Sequence, residues 1–454
     1  MGTAVGVARW IEVHWRFPSW IAVPIGWVGM EMWRARVYFG GFPWGNLGST
    51  PFNNLTLLQL GSLAGVYGII LLIVSVNVAL FEVVRFLHKE RTFPTTMLGA
   101  NALALVLAVA YGQYRIAVVD AEARGADKLK VGLLQGNIEQ GIKNKDGQHR
   151  EFIIQRYAAL QKDALQQGAD VVVWPEASYP VPQRRDQDKA LDFSKFPSLG
   201  SAAGIVGATV FWPETPELSG DMCRVPKPPA GCRGRMLQHN SALVASSDGT
   251  YVGRFDKSHL VPFGEYVPWP LGPVVKAIVP LMGTQVPGDK LVPVTLPHSR
   301  VQPQVATLIC YEGVFPQHTR DFVANGAELL FNVTNDAWYG ISSASVQHLA
   351  FYTSRAAEHG RAVGRVANTG ITAGIDPVGR ILQPSTLYET TAVVVELPIM
   401  KGTTLYALTG DLLGWVFALT FLCALGLGIK GWYVARRERR ALSLIHISEP
   451  TRLR

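Results

Sequence analysis

Apolar positions along this chain fall into two regimes. Four runs are long and nearly bare of charge, and between the third and fourth lies a long stretch where short apolar runs alternate with polar turns. The run 55–80 holds no charged side chain and is long enough, as a helix, to cross roughly 30 Å of hydrocarbon. The run 97–111 is shorter but spans with its flanks, and 412–429 is again free of charge. The run 20–32 is Trp-rich and ends near Glu31 and Arg34; it is expected to span, with a helix lying in the interface as the alternative. Arg85, His88, Lys89 and Arg91 lie between the second and third runs, and Arg436, Arg437, Arg439 and Arg440 follow the fourth. Short Lys/Arg-rich segments stay cytoplasmic, and with these four spans both clusters fall on one side. The long segment between the third and fourth runs is then placed on the other, outer side.

That segment has the pattern of an α/β domain. Short β-branched or apolar runs at 130–135, 170–174, 205–211, 241–246, 304–310, 328–333 and 362–368 are bounded by turn residues and predict strands. Ser247-Asp248-Gly249-Thr250 predicts a hairpin turn. Phe152, Tyr157, Leu160 and Ala164 recur at helical spacing within 151–167, with Gly168 as a stop, and 347–359 predicts a second helix. The chain is thus expected to divide into a membrane region at 1–117 with about three transmembrane helices, an α/β domain at 118–404, a transmembrane helix at 405–430 and a basic cytoplasmic tail at 431–454. The end of that tail, SLIHISEPTRLR at 443–454, reads as a translated adaptor rather than native sequence and is set aside. No signal peptide is read ahead of the first run.

Composition supports this division. Of 454 residues 17% are charged, against roughly 25% in average soluble domains, while 48% are hydrophobic. The net charge of +8 is placed at the flanks of apolar runs, which favours a membrane partner and no nucleic acid. Spans this bare of charge also argue against a channel or transporter. The four cysteines form no disulfide framework. Cys423 sits in an apolar run, and Cys223 and Cys232 share a Pro/Gly-rich loop, either bridged locally or as two free thiols. His348 and His359 share a helix but lack the spacing of a metal pair, so no metal is expected. Asn332-Val333-Thr334 matches a glycosylation acceptor by chance.

Three segments pair a strand end with a reactive side chain. Trp174-Pro175-Glu176 follows an all-valine run, and since proline cannot serve a central ladder the strand is expected to end there and project Glu176. Lys257 follows the predicted hairpin, and Cys310 ends the strand 304–310. A thiol needs activation at neutral pH. A nearby carboxylate can take its proton, and an ammonium together with the backbone N–H after the cysteine can hold a developing oxyanion. From chemistry alone, Cys310 reads equally well as a buried structural thiol. His259, beside Lys257, is unnecessary as a base if Glu176 serves.

VVVWPEASYP, FDKSHLVPFGEYVP and LICYEGVFP resemble, in order, the Glu, Lys and Cys segments of the carbon–nitrogen hydrolase superfamily, with the closest resemblance to the bacterial apolipoprotein N-acyltransferases. GGFPWGNLGS at 40–49 and the stretch from Asn332 through Asp376 resemble them too. The resemblance implies a four-layer αββα nitrilase-like sandwich on a transmembrane helical region. It implies Glu176 as general base, Lys257 as oxyanion-stabilising lysine and Cys310 as nucleophile. Glu265 is implied as a further active-site carboxylate, and Tyr311 and Glu312 as supports of acyl transfer or, alternatively, of orientation and packing. It further implies a phospholipid acyl donor, a diacylglyceryl-cysteine lipoprotein as amine acceptor, no cofactor, and a multi-pass place in the bacterial inner membrane with the catalytic domain on the periplasmic side. A membrane-anchored amidase using water, or an inactive lipid-binding module, are the alternatives. Departures are that Lys143 is followed by Asn144 where the family carries a Trp, that the insert 222–234 lies outside the motifs, and that the family's additional N-terminal spans are expected to precede this chain's start. The apolar, Pro-rich stretch 269–282 is expected to be a lid dipping into lipid, or else to pack on the domain.

Overall fold

Valine- and isoleucine-rich runs buried on both faces build the larger part of the molecule. In the computed structural model the described residues are 2–37, 40–90, 92–143, 149–184, 196–213, 236–268, 285–298 and 300–448. Cys223 and Cys232, the stretch 269–282 and the last residues of the tail lie outside them. The chain forms two units, one of residues 1–48, 67–107 and 411–454 and the other of 49–66 and 108–410.

The first unit is helical. Helix α1 (Gly2–His14), not foreseen in the apolar pattern, packs with α2 (Ser19–Arg36) and the C-terminal helix Leu412–Ser448 through Val7, Ala8, Ile11, Ala22, Ile25, Phe421 and Ala424. Gly29 allows the close approach, since a Cβ there would sit 2.5 Å from Cβ of Phe421. Helices α3 (Gly61–Leu87) and α4 (Thr95–Gly125) pass from one unit into the other. Among the described residues three helices are long and apolar enough to cross a membrane: Gly61–Leu87, Thr95–Gly125 and Leu412–Arg437. The run 20–32 lies inside α2, which carries Pro24, Glu31, Arg34 and Arg36 and is not among the three. The run 55–80 is not one helix but a short turn, Leu55–Leu58, followed by α3, which is itself broken at Ala64 and Gly65. Gly65 has φ 62° and lies against the Tyr406 ring, 2.5 Å from where a Cβ would be, so no other residue fits that break.

The second unit holds two six-stranded sheets. Strands β1 (Lys128–Gln135), β2 (Val171–Arg184), β3 (Ala203–Pro213), β4 (Met236–Ala245) and β5 (Tyr251–Asp256) form one with β12 (Thr391–Pro398), in the order β12-β1-β2-β3-β4-β5. Strands β6 (Val294–Thr295), β7 (Gln304–Ile309), β8 (Leu329–Thr334), β9 (Val363–Ala367), β10 (Ala373–Ile375) and β11 (Ile381–Leu382) form the other, in the order β11-β10-β9-β8-β7-β6. Each sheet has three parallel central strands, β1-β2-β3 or β7-β8-β9, with antiparallel pairs outside them. Parallel steps need crossovers: α5 (Arg150–Gln166) joins β1 to β2, α6 (Pro316–Ala324) joins β7 to β8 and α7 (Ala344–His359) joins β8 to β9. Helix α5 buries Ile153, Tyr157, Leu160 and Ala164 against Leu134, Val172, Trp174, Val206 and Leu243. The opposite face meets the second sheet, where a Cβ on Gly364 would touch Phe331 and Leu133 and one on Gly374 would touch Val395. Helices outside and sheets face to face make the expected αββα sandwich.

All seven predicted runs are strands, and the Ser246–Thr250 turn closes the β4–β5 hairpin. One expectation needs correction: β2 does not end at Pro175 but continues to Arg184. Proline is accommodated because the ladder to β3 is interrupted between Trp174 and Tyr179, where Ala177 takes φ 46°. In that bulge the Pro175 carbonyl accepts from the Ser178 hydroxyl at 2.6 Å and lies so close to Gly207 of β3 that a Cβ would sit 2.0 Å from its oxygen. Gly207→Ala therefore overpacks the bulge and should cost about 1–3 kcal/mol, read as a lower midpoint of thermal unfolding. Gly125→Ala, where an added Cβ meets nothing within 4 Å, should leave the midpoint unchanged, and equal midpoints for the two variants would refute the bulge packing.

Candidate active site

The β2 bulge does more than admit a proline: it turns Glu176 into the interior, 6% exposed. A buried carboxylate needs donors. Glu176 Oε1 accepts from Asn240 Nδ2 of β4 at 2.6 Å and faces Lys257 Nζ at 3.4 Å, while Oε2 accepts from the backbone N–H of Asn335 at 2.9 Å. Asn335 is itself fixed, donating to Gln140 and accepting from Asn368.

Lys257 leaves the end of β5 and is 1% exposed. Its ammonium also donates to Glu265 Oε1 at 2.7 Å. Burial works against that charge, but Glu176 and Glu265 outweigh it and hold the Lys257 ammonium well above its ordinary range. Glu265 is positioned by a tight turn in which Val261 N–H donates to Oε2 at 2.8 Å and Glu265 N–H returns to the Val261 carbonyl at 2.9 Å.

Cys310 stands where β7 gives way to a single turn, Cys310–Val314, and takes φ 51°. A non-glycine residue in that region costs of order 1–3 kcal/mol and persists only when its surroundings impose it. Glu312 supplies part of that constraint. Its Oε2 accepts from Ile309 N–H at 2.7 Å, while Oε1 accepts from Ser258 N–H at 2.6 Å, Ser258 Oγ at 2.8 Å and His259 N–H at 3.1 Å. One carboxylate thus ties the cysteine turn to the segment that follows Lys257. Tyr311 points away into an aromatic cluster, with its ring centroid 4.9 Å from Phe315 and 6.0 Å from His259. His259 packs 3.8 Å from Phe315, and burial, His318 and Lys257 push its pKa down to about 3, so it is neutral and offers no proton to the site.

The structure therefore brings Glu176, Lys257, Glu265 and Cys310 together and places Glu312 behind the cysteine. Sequence reasoning did not assign Asn240 or Asn335; for Asn335 the signal was the polar NVTND run closing an apolar strand. Burial raises the Cys310 thiol far above its ordinary range, and Glu176 adds to this, while Lys257 and Thr334 pull the other way without prevailing. The resting sulfur carries its proton. Such a group takes up thiolate character only as pH rises, so Cys310 alkylation by iodoacetamide should climb about tenfold per pH unit from 7 to 10 without levelling. Mass spectrometry of the labelled protein reads this, and a plateau below pH 8 would mean a preformed thiolate instead.

The carbon–nitrogen hydrolase family model matches residues 130–401, and that of the apolipoprotein N-acyltransferase N-terminal domain matches residues 1–79. The apolipoprotein N-acyltransferase of Geobacter metallireducens is 34% identical over 425 residues, covering 92% of this chain and 74% of that protein. That of Shewanella oneidensis is 29% identical over 415 residues, covering 90% of this chain and 74% of its own. Among solved structures, an amidase from Nesterenkonia sp. is 19% identical, with 60% of this chain and 90% of that chain covered at a TM-score of 0.37. With its two matched regions and a relative aligned over most of both lengths, the chain belongs to the apolipoprotein N-acyltransferase family.

Proposed function

We propose that this protein transfers an acyl chain from a membrane phospholipid, through a thioester on Cys310, to the α-amine of a diacylglyceryl-cysteine lipoprotein. The observation that carries this reading is a buried thiol in the electrostatic field of a carboxylate and an ammonium that are already paired. Glu176 takes the thiol proton as sulfur attacks the ester carbonyl carbon. Lys257 and the backbone N–H of Tyr311 hold the tetrahedral oxyanion. The C–O bond breaks, Glu176 returns the proton to the leaving alkoxide, and a lysophospholipid departs. The lipoprotein amine then attacks the thioester and loses a proton to Glu176, which hands it to the departing sulfur. An amide and the free thiol remain. Thioester to amide runs downhill, so the cycle needs no cofactor.

Glu265 in this scheme sets the charge and place of Lys257, and Glu312 sets the place of Cys310. Both substrates keep their acyl chains in a bilayer, which accords with three helices long and apolar enough to cross one. The basic clusters at 85–91 and 436–440 favour a multi-pass arrangement in the bacterial inner membrane with the 118–404 domain on the periplasmic side.

Intact mass spectrometry of detergent-purified protein after incubation with phosphatidylethanolamine tests the first half-reaction. A hydroxylamine-sensitive acyl adduct should form on the wild type, be absent from Cys310→Ser, and form on the order of 10²–10⁴-fold more slowly in Glu176→Gln. A folded wild type that stays unmodified would contradict the reading.

A further inference from the structure

Helix α7 presents His348, Tyr352 and Arg355 at i, i+4 and i+7, one stripe along a helix. All three point at the cysteine turn. Tyr352 Oη donates to the Cys310 carbonyl at 2.8 Å, and His348 Nε2 lies 3.2 Å from the same oxygen. Arg355 Nη1 reaches the carbonyls of Gly313 and Val314 at 3.4 Å. A carbonyl oxygen only accepts, so the clamp requires the neutral ring of His348 to carry its one proton on Nε2, which leaves Nδ1 as an acceptor. The other ring nitrogen, Nδ1, faces Asp336 Oδ1 at 3.0 Å and Arg365 Nη2 at 3.4 Å, and Arg365 Nη2 donates to Asp336 Oδ2 at 2.7 Å. His348, Tyr352 and Arg365 are 0% exposed and Asp336 1%. Room for the tyrosine exists only because residue 313 is glycine: a Cβ there would sit 2.1 Å from the Tyr352 ring.

A trans peptide is planar, with its C=O and N–H pointing in opposite directions. The Cys310 carbonyl and the Tyr311 N–H belong to one peptide. Two donors that draw the carbonyl toward α7 therefore turn the Tyr311 N–H the other way. We propose that His348 and Tyr352 are positioning residues for acyl transfer: by clamping the Cys310 carbonyl they hold the cysteine in its left-handed conformation and aim the Tyr311 N–H at the developing oxyanion. This rests on the acyl-transfer reading above and adds to it the residues that preorganise the oxyanion donor. Arg365, itself held by Asp336, in turn donates to Nδ1 and so favours the tautomer that the clamp uses.

The clamp has a readout that packing alone does not share. Acylation builds an oxyanion; alkylation of the same sulfur by iodoacetamide does not. In detergent-purified full-length protein, Tyr352→Phe and His348→Asn should form the acyl adduct from phosphatidylethanolamine about 10- to 100-fold more slowly than wild type, with iodoacetamide alkylation of Cys310 within about twofold. Tyr352→Phe removes only the hydroxyl and keeps the ring against Arg365, 5.3 Å away. His348→Gln, whose amide can donate from near the Nε2 position, should recover most of the rate that His348→Asn loses. The inference is overturned if alkylation falls in step with acylation, if His348→Asn acylates as fast as His348→Gln, or if wild type acylates and the variants match it. A wild type that forms no adduct overturns the acyl-transfer reading, and this inference with it.

Discussion

The site depends on a buried ammonium. Lys257 is sealed from water at 1% exposure, and such a charge survives only beside opposite charge: removing one partner of a buried pair typically costs about 3–5 kcal/mol. Two carboxylates, Glu176 and Glu265, meet the requirement. With both ionised and the thiol neutral, the cluster carries one net negative charge. Burial, with Glu176 adding to it, is why the sulfur keeps its proton, and the excess carboxylate makes the proposed chemistry feasible. Moving the proton from Cys310 to Glu176 relocates a negative charge beside Lys257 without creating one in a dry interior. The developing oxyanion inherits the same partner.

Geometry follows from this electrostatic need. The reactive groups come from a bulge within β2, the segment after β5 and the end of β7, and at each the backbone departs from regular strand geometry. A bulge turns Glu176 inward, a tight turn carries Glu265 back to Lys257, and a left-handed cysteine ends β7. Each departure costs conformational energy, which the sandwich offsets through a few over-determined contacts. Pro175 packs on Gly207, Glu312 takes four donors from two segments, and Gly313 makes way for Tyr352. The central parallel strands, buried on both faces, supply the rigidity that these deviations draw on.

What could be read in the sequence tracks this division. The six central parallel strands, and β4 beside them, announce themselves as short apolar runs, so those seven were legible. Strands β6 and β11 are two residues each and carry no period, whereas β12, with Val393-Val394-Val395, has as plain a strand signal as β2 and was passed over. Proline misled at position 175 because its exclusion from a ladder holds only while the ladder is unbroken. The residues that converge on the site were legible as reactive side chains at strand ends, yet Asn240, Asn335 and Tyr352 were not. Amides and hydroxyls inside strands and helices look the same in sequence whether they pack, cap or hold a catalytic group. His348 was weighed only as a metal ligand, since nothing in its spacing points to a carbonyl made by the cysteine's own backbone. Helix α1 and the break at Gly65 were lost for a related reason, as both depend on tertiary contact rather than on local apolar pattern.

The most direct test of the central claim is the complete transfer. Wild-type protein would be reconstituted in phosphatidylethanolamine vesicles with a synthetic diacylglyceryl-cysteine peptide, and both products followed by mass spectrometry. The account predicts an N-acylated peptide formed in step with lysophospholipid, with both lost in Cys310→Ser. Free fatty acid accumulating beside an unmodified peptide would make water the acceptor, and peptide acylation persisting without Cys310 would remove the thioester; either would contradict the account.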